Sequence, residues 1–295
     1  MKNIALLGPE KWAIASINFF LKKYLSSRYN VCIFHWENPD EVKIATEGLF
    51  DVVISTADIL MLSKIGYSIK DNVKFIPVFH HNCIDTKESI YDRDLSDVIG
   101  NHKVFGVNHD IVSSIKNRYS VDAGLLPIGI DDSFWEKKDI KEIKTVGMVY
   151  DPTVLNRDEY ERVKNSRMFL DICNKADVES RFIYGKDFTA GSRIYDGCDM
   201  VVCTSAQEGN PMALLECAAA KIPFISTKVG ISDQFSSLIT FSEIQEAVSI
   251  INSFKRNKDL IDIYTSKVHE EVVRSRSWEK IVDEYWIPEI ENLLQ

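Results

Sequence analysis

Two glutamates, Glu208 and Glu216, stand eight positions apart, with the segment Gly209-Asn210-Pro211-Met212-Ala213 between them. Gly209 permits a tight turn and Pro211 suits the first turn of a helix, so the segment reads as a loop opening into the helix ALLECAAAK. The first amides of such a helix lack intrahelical partners and carry the positive end of its dipole. They can therefore receive a phosphate or sugar hydroxyls. A carboxylate accepts hydrogen bonds well from vicinal hydroxyls, as on a ribose or a hexose. Two carboxylates around one anion-binding helix start would suit a nucleotide sugar, with its diphosphate at the amides and its hydroxyls at the acids. Glutamate is common, however, and on spacing alone the plainer reading is favoured: one solvated glutamate and one that caps the helix.

Such a loop needs a strand to deliver it and a sheet to hold the strand. Short apolar runs alternate along the chain with longer segments of helical period. The runs Ile4–Gly8, Asn30–Phe34, Asp51–Ser55, Phe75–Phe79, Val104–Val107 and Leu125–Ile128 predict strands, with helices clearest over Ala13–Leu25 and His109–Tyr119. The pattern restarts with Thr145–Tyr150 and continues through Arg181–Tyr184, Met200–Cys203 and Pro223–Ser226, turning helical from Ser242 onward. This alternation predicts an α/β fold of two Rossmann-like parallel-sheet domains, covered by helices on both faces. The charged stretch Trp135–Lys144 lies between the two series and reads as their connection, giving a first domain over 1–142 and a second over 143–275. In open parallel sheets ligands bind beyond the carboxyl ends of the strands, which is where the Glu208 loop falls.

Composition narrows the function. The 295 residues allow two modest domains, each able to bury a core without disulfides or metals. A net charge of −9 with no basic half argues against nucleic acid as a partner. The small basic cluster Lys22, Lys23 and Arg28 offers at most a weak peripheral membrane contact, and a solvated helix face is the plainer reading. Six cysteines without a C-x-x-C pattern read as small buried thiols of a reducing compartment. No apolar run is long enough to span a membrane, so the expected location is the cytoplasm, with peripheral contact at the inner face of the membrane as a variant. Asp92-x-Asp94, two carboxylates that could hold a divalent ion, lies in a polar stretch and reads as surface. No metal site and no cofactor are expected.

The stretch Tyr195–Gly230 resembles the donor-binding core of the retaining GT-B glycosyltransferases of the glycosyltransferase family 4 type. The matching positions are Tyr195, Asp199, Ser205, Glu208, Gly209, Pro211, Glu216, Ala218, Pro223 and Gly230. Leu125–Trp135 resembles the P-N-G-V-D-x-x-x-F segment of that family through Pro127, Gly129, Asp131 and Phe134, with Ile128 in place of the usual asparagine. Ser275–Ile290 resembles its closing F-S-W-E-x-x-A helix, with Trp278 and Glu279 in place.

The resemblance implies two domains facing a central cleft, with residues 276–295 as a helix packing back toward the first. It implies transfer of a sugar from a UDP- or GDP-linked donor to a glycan or glycolipid acceptor, with retention and as part of polysaccharide biosynthesis. Glu216 would hold the nucleotide ribose and Glu208 would act at the donor sugar. The amides from Gly209 through Asn210, Pro211 and Met212 to Ala213 would line the sugar or diphosphate. A histidine following a first-domain strand would complete the catalytic set; His80 matches on the strand end. His81 is its neighbour and would face the other way. The chain departs from the family in reading Gly147-Met148 where Gly-Arg is usual. The cation that the leaving diphosphate needs would then come from Arg157, Lys164 or Lys186. The first loop, Gly8–Ile14, lacks the usual Gly-Gly, and Lys11, Trp12 and His81 are candidate acceptor contacts. Enzymes of this fold are mostly longer, so economy is expected, and expected in the first domain. Two other readings stay open: a nucleotide-sugar epimerase or hydrolase, and a non-catalytic sugar-nucleotide module.

Overall fold

The computed structural model describes residues 1–56, 73–80, 102–153, 157–185 and 187–295. The chain divides into two units, one formed by Met1–Gly129 with Trp278–Gln295 and the other by Ile130–Ser277. The division falls at Gly129, ahead of the charged stretch 135–144, which belongs to the second unit.

In the first unit, strands β1 (Asn3–Gly8), β2 (Asn30–His35), β3 (Val52–Ser55), β4 (Lys74–Phe79), β5 (Phe105–Gly106) and β6 (Gly124–Leu125) form one parallel sheet in the order β2-β1-β3-β4-β5-β6. The continuous apolar runs of β1, β3 and β4 are buried, as strands covered on both faces must be. Helix α1 (Trp12–Leu25) follows β1, α2 (Pro39–Thr46) follows β2 and is capped by Asn38, and α3 (His109–Tyr119) is capped by Asn108.

The second unit carries β7 (Thr145–Val149), β8 (Glu179–Ile183), β9 (Met200–Cys203) and β10 (Phe224–Ser226) as a parallel sheet in the order β10-β9-β7-β8. Its helices are α4 (Arg157–Lys164), α5 (Ser166–Ala176), α6 (Met212–Ala220), α7 (Ile244–Arg256) and α8 (Lys258–Arg276). The strand reversal lies between β7 and β9, so the loops after these two strands open at the topological switch point.

Among the described residues the first unit carries a six-stranded sheet and the second a four-stranded one. The four apolar runs read in the second domain coincide with the four strands described there.

The closing stretch returns to the first unit through α9 (Trp278–Ile281), a π-helical turn over Val282–Trp286, and α10 (Ile287–Leu294). Trp278 and Trp286 are both buried there. The Trp286 indole N–H donates to the carbonyl of Pro127 at 3.0 Å, and the Trp278 ring stacks with Phe20 at 6.2 Å.

Candidate functional site in the second unit

The buried strand β9 delivers a loop running from Thr204 to Pro211. Three hydrogen bonds fasten its first half to the carboxyl end of α4. The Thr204 hydroxyl donates to the carbonyls of Lys164 (3.1 Å) and Asn165 (3.0 Å), and the Ala206 amide donates to the Val163 carbonyl at 2.7 Å. Asn165 makes this possible by turning into the left-handed region (φ +55°), which ends α4 and lets its side chain cap α5. The result carries Lys164 to Glu208. Its Nζ lies 2.5 Å from Glu208 Oε1, and the hydroxyl of buried Ser205 donates to the same oxygen at 2.7 Å. Burial would lower the Lys164 ammonium, but the adjacent Glu208 carboxylate outweighs it and holds the group above its ordinary value.

Beyond Glu208 the chain passes Gly209 and reaches Pro211, the N-cap of α6, where no side chain caps the helix. The helix therefore presents the first-turn amides of Met212 and Ala213. The loop rests on Gly230, whose φ of +58° favours glycine. A Cβ there would stand 2.7 Å from the Gly209 carbonyl, 2.9 Å from Pro211 Cδ and 3.1 Å from the Glu208 carbonyl. Asn210 sits in the middle of the loop with its Nδ2 3.5 Å from Met212 Sδ.

Glu216 lies in the same helix and is buried, only 7% exposed. Its Oε2 accepts a hydrogen bond from the hydroxyl of Tyr195, itself wholly buried at the end of a 3₁₀ segment, Phe188–Tyr195. Burial pushes the Glu216 carboxyl up to about 7, with the Tyr195 hydrogen bond pulling the other way.

The remaining sequence candidates divide by place. His80 follows β4 in the first unit and is buried. Lys11 is exposed at the start of α1, while the side chain of Trp12 lies outside the described residues. His81, Lys186, Asp92 and Asp94 lie outside them too, as does the Arg157 side chain. Of the three proposed cations, Lys164 is the one that the described structure brings to Glu208. The sequence pattern contains Tyr195, Ser205 and Gly230 without giving any of them a role; in the structure they hold Glu216, Glu208 and the loop between. Asp199, from the same pattern, accepts from the amides of Lys144 and Thr145 at 2.9 and 2.8 Å, fixing the start of β7. Among the described residues no three His, Cys, Asp or Glu side chains gather as a metal-binding group, and no helix is long and apolar enough to cross a membrane.

No protein-family model and no curated protein sequence matches the chain. Solved structures do. Sucrose-phosphate synthase from Thermosynechococcus elongatus aligns over 100% of this chain and 99% of its own, at 10% identity and a TM-score of 0.73. The lipopolysaccharide outer core galactosyltransferase WaaB, in its apo form, aligns over 97% of this chain and 99% of its own, at 12% identity and a TM-score of 0.60. A variant of S. aureus TarM, in complex with fondaparinux, α-GlcNAc-glycerol and UDP, aligns over 83% of this chain and 55% of its own, at 16% identity and a TM-score of 0.65. At these identities the likeness is one of fold, and the fold of the chain is that of the GT-B glycosyltransferases.

Proposed function

We propose that the chain is a glycosyltransferase that moves a sugar from a nucleoside-diphosphate donor to a glycan or glycolipid acceptor, with retention and without a metal ion. One observation carries this reading. An uncapped helix start at the switch point of a parallel sheet is flanked by two carboxylates of different state, Glu208 paired with Lys164 and Glu216 buried beneath Tyr195. The amides of Met212 and Ala213 suit the diphosphate. Glu216 suits the ribose diol, which would replace the water that burial removes. When the bond from the anomeric carbon to the diphosphate breaks, negative charge grows on the leaving oxygen. Lys164 supplies a fixed cation for it beside the loop, in place of the absent arginine after Gly147. The acceptor hydroxyl passes its proton to the departing diphosphate oxygen as its own oxygen bonds to the anomeric carbon, so the glycosidic bond formed replaces the bond broken. The catalytic role that the family resemblance gives His80 belongs to the proposal, as do the acceptor contacts of Lys11, Trp12 and His81, at positions where the resemblance assigns none.

The UDP named in the TarM complex makes a UDP sugar the first donor to try, with GDP sugars next. A thermal-shift panel of UDP-, GDP-, ADP- and CMP-sugars tests the reading. One base class should raise the melting temperature by several degrees at ligand well above its Kd. If none does, the donor site is misassigned. Release of free sugar without any acceptor would instead favour a hydrolase.

A further inference from the structure

Glu216 receives its side-chain hydrogen bond from Tyr195, and Tyr195 is too deeply buried, at 1% exposure, to touch a bound ligand. The tyrosine is itself firmly held. Its 3₁₀ segment bends at Gly191, where φ +55° and ψ −138° leave the helical region, and a Cβ there would lie 3.3 Å from the Phe134 carbonyl. The neighbouring Ser192 hydroxyl donates to the Glu136 carbonyl at 2.6 Å. The buried Trp135 ring lies 6.5 Å from the Tyr195 ring, tilted by 47°. The segment that fixes Tyr195 thus begins just after Ile130, where the chain enters the second unit.

We propose that Tyr195 is a positioning residue of the nucleotide site: by donating to Oε2 it fixes the Glu216 carboxylate and leaves Oε1 for the ribose hydroxyls. The proposal rests on the nucleotide-sugar reading above. Among the described residues the titratable groups beside Glu216 are Tyr195 on the 3₁₀ segment and Cys217 on the same helix, with Cys198, just before β9, acting on Cys217. Tyr264 and His269 stand on α8, which packs along α6, and His269 Nδ1 lies 3.1 Å from the Ala218 carbonyl. No cation among the described residues pairs with Glu216. The hydroxyl of Tyr195 is therefore what favours the ionised carboxylate against its burial, and an ionised carboxylate is what a diol binds best.

Calorimetric titration of the full chain with UDP, GDP and ADP in turn, between pH 6 and 9, tests this against the variant Tyr195→Phe. For the nucleotide that binds, Y195F should weaken affinity about tenfold at pH 6.5, with the deficit closing toward pH 9 as Glu216 ionises without help. Replacing Tyr195 by 3-fluorotyrosine, a stronger donor of nearly the same shape, should tighten binding at pH 6.5. This keeps the test decisive should Y195F fail to fold. A purely structural tyrosine would lower the melting temperature of Y195F and weaken binding equally at every pH. Such a flat deficit, or unchanged affinity, overturns the proposal while leaving the nucleotide reading intact. If the unmodified chain binds none of the three nucleotides, that reading falls and this one falls with it.

Discussion

Glu216 destabilises the unliganded protein by the same burial that suits it to bind. Its carboxyl sits near 7 in the folded chain and near the ordinary 4.5 in the unfolded one, so the folded state holds the extra proton between those values. Stability from this group is therefore present below pH 4.5 and is lost as pH rises toward 7 and beyond. The loss is on the order of 3 kcal/mol for a shift of this size. Glu216→Gln should consequently melt several degrees higher than the unmodified chain at pH 8, with the gap closing near pH 5. The same variant should bind nucleotide at least tenfold more weakly, since an amide accepts less strongly than a carboxylate. Scanning calorimetry at the two pH values, with a binding titration, checks both halves. The Lys164–Glu208 pair predicts the opposite pattern. Either single replacement, Lys164→Met or Glu208→Gln, strands a largely buried charge and should cost about 2–4 kcal/mol, whereas the double variant should recover part of that loss. Neither single variant should retain more than a few percent of transfer activity on this reading, about 10²-fold below the unmodified chain.

Among the elements, the loop between β9 and α6 depends on a glycine that is distant in sequence. Gly230 lies in the left-handed region, and any Cβ would press on the backbone of Gly209 and Glu208. Gly230→Ala should cost about 1–2 kcal/mol in backbone strain. It should also displace the loop, raising the donor KM several-fold, which steady-state kinetics would detect. The alternating runs that predict the ten strands were plain in the sequence because fully buried parallel strands leave continuous apolar tracts, as in Ile4–Gly8 and Met200–Cys203. The Glu208 loop was plain too, since Gly209 and Pro211 mark it locally. What a local reading could not give is partnership across the fold. Lys164 meets Glu208 from 44 positions away, and it does so only because Asn165 leaves the helix and Thr204 grips the carbonyls at its end. Tyr195 reaches Glu216 from a 3₁₀ segment that has no clear period of its own.

The path of the chain makes the two units unequal in independence. Ile130–Ser277 is continuous, holds its own parallel sheet and carries Glu208, Glu216, Lys164 and Tyr195 together. Its ends are tied to each other, since the Ile130 amide donates to the Arg276 carbonyl at 2.7 Å and Ile130 bridges to Ser277. The first unit is discontinuous. Residues 1–129 leave Pro127 and Phe20 waiting for Trp286 and Trp278, two of the largest fully buried side chains in the protein. A salt bridge from Lys103 to Glu289, at 2.6 Å, joins the same pieces but is partly exposed and adds little. Losing two buried tryptophans would remove about 3–5 kcal/mol each, a large share of what any domain this size has in reserve. Residues 130–277 expressed alone should therefore fold cooperatively and bind the same nucleotide as the full chain. Residues 1–129 should remain unfolded until a peptide of residues 278–295 is added, when native-like circular dichroism should return. If the first fragment folds without that peptide, the closing helices are an attachment to the unit and not part of its core.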